Sequence, residues 1–291
     1  SAAEQQIGIR SALAEIEADI WVWMREFVSV RNEFYNSKFA PCPYAQRALT
    51  MKLQLLPKDH PSVAISQNNL ALVLCERGKF ARAEKLFREV LAVRQKILGK
   101  EHPDVAQSLS NLAFSVEKQG NLDEAVMLHR EALAINRKVL ASDHPAATAT
   151  IGGLASLLIA QGKYRDAEEL LRQALLLIRQ RPGNTPRAEA YCLNNLAFAL
   201  RHQGRYVEAE TLNRQALMLR EKLHGKQHPD VAMSLNNLAV TLSAQGKHRE
   251  AELLHRQALE IRQRYLGSDH PDVAQSFYNL AGTLRNQSQI E

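Results

Sequence analysis

His-Pro recurs at residues 60, 102, 144, 228 and 270, each copy separated from the next by 42 residues or by twice that number. A fixed period without insertion or deletion means that one supersecondary unit is repeated and meets its neighbours in one way throughout. The same register carries Asn68-Asn69-Leu70-Ala71, Ser110-Asn111-Leu112-Ala113, Gly152-Gly153-Leu154-Ala155, Asn194-Asn195-Leu196-Ala197, Asn236-Asn237-Leu238-Ala239 and Tyr278-Asn279-Leu280-Ala281. Midway through each unit stand Arg77-Gly78, Gln119-Gly120, Gln161-Gly162, Gln203-Gly204 and Gln245-Gly246, where a glycine C-cap would end one helix and open a tight turn. Each repeat therefore reads as two helices. The first starts at the proline, whose missing N–H would be unpaired in a first turn anyway.

Apolar residues recur at spacings of three and four in both halves of a repeat: Leu235, Leu238, Ala239 and Leu242, then Ala251, Leu254, Ala258, Ile261 and Tyr265. Two such helices meet along one seam and cannot bury their remaining apolar faces alone, so the units must stack into an all-α solenoid. Three segments follow. Residues 1–60 read as an N-terminal capping helix with a degenerate repeat, 61–270 as five complete repeats, and 271–291 as a partial sixth. In the leading segment 7–36 would form a long helix carrying Trp21 among acidic neighbours, and 43–56 a second helix in register with Ala258–Arg262. The repeat at 187 departs from the pattern, with Thr185-Pro186-Arg187 in place of His-Pro.

The 291 residues carry 37 Lys+Arg against 31 Asp+Glu, a net charge of +6 that is too mild and too dispersed for a nucleic-acid binder. Cys42, Cys75 and Cys192 are odd in number and far apart, which suits neither a disulfide framework nor a CxxC metal knuckle. Glu4, Glu15, Glu17 and Asp19 interrupt any secretory apolar stretch, and no membrane-length apolar run occurs. A cytoplasmic protein without membrane or nucleic-acid partners is expected.

Leu235-Asn236-Asn237-Leu238-Ala239, Gln245-Gly246-Lys247, Glu250-Ala251-Glu252, Ala258-Leu259-Glu260-Ile261-Arg262 and Gly267-Ser268-Asp269-His270-Pro271 together resemble the tetratricopeptide repeat family, in the 42-residue form of kinesin light chains. The resemblance covers roughly residues 43–287. It implies a right-handed superhelical solenoid of antiparallel helix pairs whose first helices line a concave groove for extended peptides. Kinesin light chains use that groove for acidic segments containing tryptophan.

With Leu235 numbered as position 4 of its repeat, seam positions 4, 7, 8 and 11 lie opposite positions 2, 6, 9 and 13 at 100° per residue. Position 6 supplies Asn69, Asn111, Asn195, Asn237 and Asn279, which either offer donors and acceptors to a peptide backbone or bond only within the scaffold. Positions 2 and 9 supply Tyr191, Phe114 and Phe198, apolar groups on a face that is not the seam. Arg201, His202 and Lys118 at positions 12 and 13 would favour an acidic partner. The third repeat places Ala149, Gly152, Gly153 and Ser156 there, which reads either as a hollow for a ligand side chain or as repeat drift; both predict that Gly153→Asn stabilises the fold, and a hollow adds that it obstructs the partner.

No chemistry is legible. Equivalent histidines of successive His-Pro motifs stand about two helix widths, roughly 18 to 20 Å, apart, too far to share a metal ion. Arg88, Arg172, Arg214 and Arg256 each follow a glutamate by four residues and read as solvated helical pairs. No GxSxG, P-loop or HExxH is present. The expected function is a non-catalytic interaction module without cofactor or metal, taking a protein or peptide ligand. The alternatives are an oligomerising scaffold with a self-occupied groove or an exposed terminal helix, and, last, an enzyme using Cys42.

Overall fold

A computed structural model describes residues 42–140, 144–180 and 186–288, with side chains from Tyr44 onward. The leading helix expected over 7–36, with Trp21, and the Cys42 side chain lie outside the described residues. The chain divides into two compact units, Ser1–Ile97 and Leu98–Glu291. The first holds α1 (Cys42–Leu55), α2 (Pro61–Glu76) and α3 (Phe80–Leu98). The second holds α4 (Pro103–Glu117), α5 (Leu122–Val139), α6 (Pro145–Ala160), α7 (Tyr164–Gln180), α8 (Pro186–His202), α9 (Tyr206–His224), α10 (Pro229–Ala244), α11 (His248–Leu266) and α12 (Pro271–Ser288). The described residues contain no strand, and none of their helices is long and apolar enough to cross a membrane.

The recurring motifs build the helix ends. In each His-Pro pair the histidine is the N-cap: Nδ1 of His60, His102, His144, His228 and His270 accepts the backbone N–H two residues on, at 3.1 to 3.2 Å. One otherwise unpaired amide of the first turn is thereby satisfied. The mid-repeat glycines close the first helices with a left-handed residue; Gly204 has φ 79°, its N–H bonds to Arg201 O, and Arg205 N–H reaches back to Leu200 O, both at 3.0 Å. At 187 the helix starts at Pro186, one residue earlier than in its neighbours, and the remainder of the repeat stays in phase.

Within each complete repeat the seam is closed, and it is apolar except for the buried Gln67. In α10, Leu235, Leu238, Ala239 and Leu242 are buried against Ala251, Ala258 and Ile261 of α11. The face on the opposite side stays open in every repeat, as the 3.6-residue period requires.

Successive repeats of the second unit are also joined by buried polar clasps that the periodicity did not suggest. Arg220 of α9 donates to Ser234 Oγ and Asp230 O of α10, at 3.0 and 3.1 Å, and Arg262 of α11 repeats this on Ser276 Oγ and Asp272 O at 2.7 and 3.0 Å. Asn136 does the same for Thr150 Oγ1 at 3.1 Å. At the fourth joint the equivalent residues are Ile178 and Cys192, both buried, and an ion pair from Arg179 to Glu189 at 2.7 Å links those two helices instead. Removing the hydroxyl in Ser234→Ala leaves the buried Arg220 guanidinium short of an acceptor. Chemical denaturation should show a loss of about 1 kcal/mol, and no loss would mean the clasp carries no net stability.

Candidate functional site

The open face of the second unit is built by the first helices of its repeats. At position 2, Gln107, Ala149, Tyr191, Met233 and Gln275 are all exposed; at position 6 Asn111, Gly153, Asn195, Asn237 and Asn279 are all half-buried. Phe114 and Phe198 at position 9 are 42% and 39% exposed, unusual for phenylalanine on a face unconnected with the core. In the first unit Ile65, Asn69 and Leu72 occupy the same positions, Ile65 and Leu72 exposed and Asn69 half-buried.

Both of these phenylalanines are covered by a cation from the next turn. Lys118 Nζ stands 5.2 Å from the Phe114 ring centre, and the Arg201 guanidinium carbon 5.0 Å from that of Phe198. Around Phe198 the arrangement is a cluster. His202 lies 4.5 Å from the Phe198 ring and stacks at 4.6 Å on Tyr164, the first residue of α7, while Arg201 approaches the His202 Nε2 at 3.1 Å. Burial, together with the Arg201 charge, lowers the pKa of His202, which favours the neutral imidazole. Burial also lowers that of Arg201. The expected site residues Phe198, Arg201 and His202 are thus brought together, with Phe114 and Lys118 as a second pair. Tyr164 was missed, although Phe80, Tyr164, Tyr206 and His248 make that position aromatic in every repeat except the one with Leu122.

The asparagines are unequal. Asn111 Oδ1 accepts from Gln107 at 2.9 Å; Asn279 accepts from Gln275 and donates to Asn236 Oδ1, both at 2.9 Å. Asn195 donates to Ser156 Oγ at 3.3 Å. The Asn237 side chain bonds to no described residue, and only its carbonyl is used, by Asn213 and Thr241. The same holds for the Asn69 side chain in the first unit. Part of the ladder is therefore committed to the scaffold.

At the small residues of the third repeat, read as either a hollow or repeat drift, the space is filled from within. Tyr191 lies over Gly152, where an added Cβ would stand 3.3 Å from its ring, and its hydroxyl is 2.7 Å from Ser156 Oγ. Behind Gly153 sits the buried imidazole of His129, 2.7 Å from where a Cβ would be. The glycines admit the protein's own rings, and the steric conflict at Gly153 opposes the gain that helical propensity gives Gly153→Asn.

The outer face carries the expected ion pairs, Arg88–Glu84, Arg172–Glu168, Arg214–Glu210 and Arg256–Glu252, at 2.8 to 2.9 Å. Two of the glutamates are more than helical pairs: Glu168 also receives Gln203 and Arg205 of the next repeat, at 3.0 and 2.8 Å. Glu210 also receives Gln245 and Lys247 of the next repeat, at 2.9 and 2.8 Å. Its burial raises the pKa, but the donors outweigh that and hold it at about 2. Burial raises the thiols of Cys75 and Cys192 to about 11 and 12, so neither is a nucleophile at neutral pH.

Tetratricopeptide repeat models match residues 63–104, 104–180 and 187–264, more than half of the sequence. The chain belongs to the tetratricopeptide repeat family. A solved Podosopora anserina protein, described as a kinesin light chain with nearly identical TPR-like repeats, is 31% identical, with a TM-score of 0.60 over 71% of this chain and 98% of that one. A variant of it gives 31% and 0.61 over 70% and 97%. BtubC (BKLC) from P. vanneervenii shares the fold, with a TM-score of 0.66 over 79% of this chain and 92% of that one at 24% identity. No curated protein matches. Tetratricopeptide repeat arrays are scaffolds with extended binding surfaces, so the fold is that of a protein-interaction module.

Proposed function

We propose that the second unit is a non-catalytic adaptor that holds an extended protein segment along the open face of α4, α6, α8, α10 and α12. The observation that carries this reading is the pair of exposed phenylalanines covered by cations, Phe114 with Lys118 and Phe198 with Arg201. Such pairs suit a segment that places an apolar side chain beside a carboxylate, since the ring takes the first and the cation the second. Asn237, whose amide is unengaged, is the first contact for the segment's backbone. Asn195 joins by exchanging its bond to Ser156, and Asn111 and Asn279 contribute more weakly because their amides already have partners. Asn69 offers the same group in the first unit, and Tyr191 presents its ring beside Asn195. A cytoplasmic site of action belongs to the same reading.

The test is selection of binding peptides from a random display library against the whole chain. Acidic peptides with apolar residues should be enriched. Asn195→Ala with Asn237→Ala should weaken the selected peptides by about 1 to 2 kcal/mol in titration, with an unchanged melting curve. Affinity unmoved by this pair and by Phe198→Ala would remove the face from the mechanism.

A second reading, an oligomerising scaffold, is favoured by Phe277 and Leu284 of α12, seam positions that are 50% and 37% exposed. Concentration-dependent mass in light scattering, abolished by Phe277→Ser, would support it.

A further inference from the structure

We propose that His224, His228 and Asp230 bind one divalent transition-metal ion of the zinc class at the turn joining α9 to α10. One ligand atom from each lies within 4.8 Å of the other two. Ligands about 2 Å from a zinc ion stand within roughly 4 Å of one another, so small side-chain rotations close the set. His224 Nε2 is 3.5 Å from Asp230 Oδ2 and His228 Nδ1 is 3.8 Å from it, with the imidazoles stacked at 4.2 Å. The three side chains are 18%, 22% and 42% exposed, open enough for an ion to enter and leave a water as fourth ligand. Two imidazoles and one carboxylate suit Zn²⁺, Co²⁺, Ni²⁺ or Cu²⁺ and not the oxygen-seeking Mg²⁺ or Ca²⁺.

The repeat supplies its own comparison. The place of His224 is taken by Leu98, Leu140, Pro182 and Leu266 in the other repeats. At the next joint His270 and Asp272 stand 4.0 Å apart, but Leu266 replaces the second imidazole, and no other three ligands converge so closely among the described residues. The metal reading of the His-Pro series fails between repeats; this set lies within one joint.

Two features oppose the ion and set what binding must do. Arg187 carries a positive charge near His228. His228 Nδ1 accepts the Asp230 N–H at 3.1 Å, which places its own proton on Nε2. An ion at Nδ1 displaces that N–H, and an ion at Nε2 moves the proton to Nδ1, which then cannot accept. Either way the cap of α10 is exchanged for the metal, so loading is coupled to the start of that helix.

The test is ZnCl₂ titration of the whole chain by calorimetry, followed by CoCl₂ with visible absorption as a report of tetrahedral coordination. One ion is expected at this site. His224→Leu, which installs the residue of three other repeats, should weaken that uptake at least tenfold without changing the melting curve of the ion-free protein. Leu266→His should add a second ion. Asp230→Asn is the check if His224→Leu does not fold, with a tenfold loss again expected. No uptake by the parent chain, or uptake unchanged in both loss variants, overturns the proposal.

Discussion

Acidification from pH 7 to pH 4 is expected to remove about 3 kcal/mol of stability from the second unit through His255 alone. This imidazole is 1% exposed, and its Nδ1 has no hydrogen-bond partner. Burial, with the Arg262 charge adding to it, lowers its pKa to about 4, against about 6.5 in an unfolded chain. The folded state therefore resists a proton that the unfolded state accepts. Stability is fully present above about pH 6.5 and falls as the pH drops from there towards 4, at 1.36 kcal/mol for each unit of the difference. His129, whose pKa burial also lowers, acts in the same direction. Glu210 is distinct: with a folded pKa of about 2, its contribution is lost only below about pH 4.5. Urea denaturation at half-unit steps separates the two windows. His255→Leu, which copies Leu171 at the equivalent place, should flatten the curve between pH 6.5 and 4 and leave the lower limb intact. An unaltered upper limb would place the acid sensitivity elsewhere.

Gly153→Asn should destabilise the fold by roughly 2 to 3 kcal/mol, lowering the melting temperature by about 5 to 10 °C. On helical propensity alone the change should be favourable by a few tenths of a kcal/mol. Sterics decide the sign: the new Cβ would stand 2.7 Å from Cε1 of an imidazole that is itself 7% exposed and hemmed in by its own helix and the next. His129→Ala in the same chain should recover much of the loss by vacating that space. A neutral or stabilising Gly153→Asn would show that His129 swings clear at little cost.

The two changes show where sequence reading succeeded and where it stopped. The period fixed helix number and phase because every repeat obeys the same steric rules, and the alternation of seam and open face follows from 3.6 residues per turn. Phe114 and Phe198 were legible on that basis: a large apolar residue 180° from the seam has no core to enter. What position 24 contains was not legible. Phe87, His129, Leu171, Asn213 and His255 share no chemistry, and in two of them the fit is to a residue one repeat later, Gly153 opposite His129 and Thr241 opposite Asn213. The histidines of His-Pro read as ligands or as nothing, because a ring nitrogen capping a helix from two residues away has no signature in composition. The bonds that engage Asn111, Asn195 and Asn279 likewise depend on side-chain directions set by three-dimensional neighbours.

The clasps between repeats bear on how such a chain can be recombined. Arg220 requires Ser234, Arg262 requires Ser276 and Asn136 requires Thr150, while Ile178 goes with Cys192 and hands the polar task to Arg179 and Glu189. Each matched set straddles the start of a first helix, marked by His-Pro at three of the joints and by Pro186 at the other, so cutting there and splicing in another repeat separates both halves of two couplings. A cut in the Gly turn, between the first and second helix of a repeat, keeps them together. The structurally coupled module of this array is therefore offset by half a period from its visible one: it opens on a second helix and closes on the first helix of the repeat that follows.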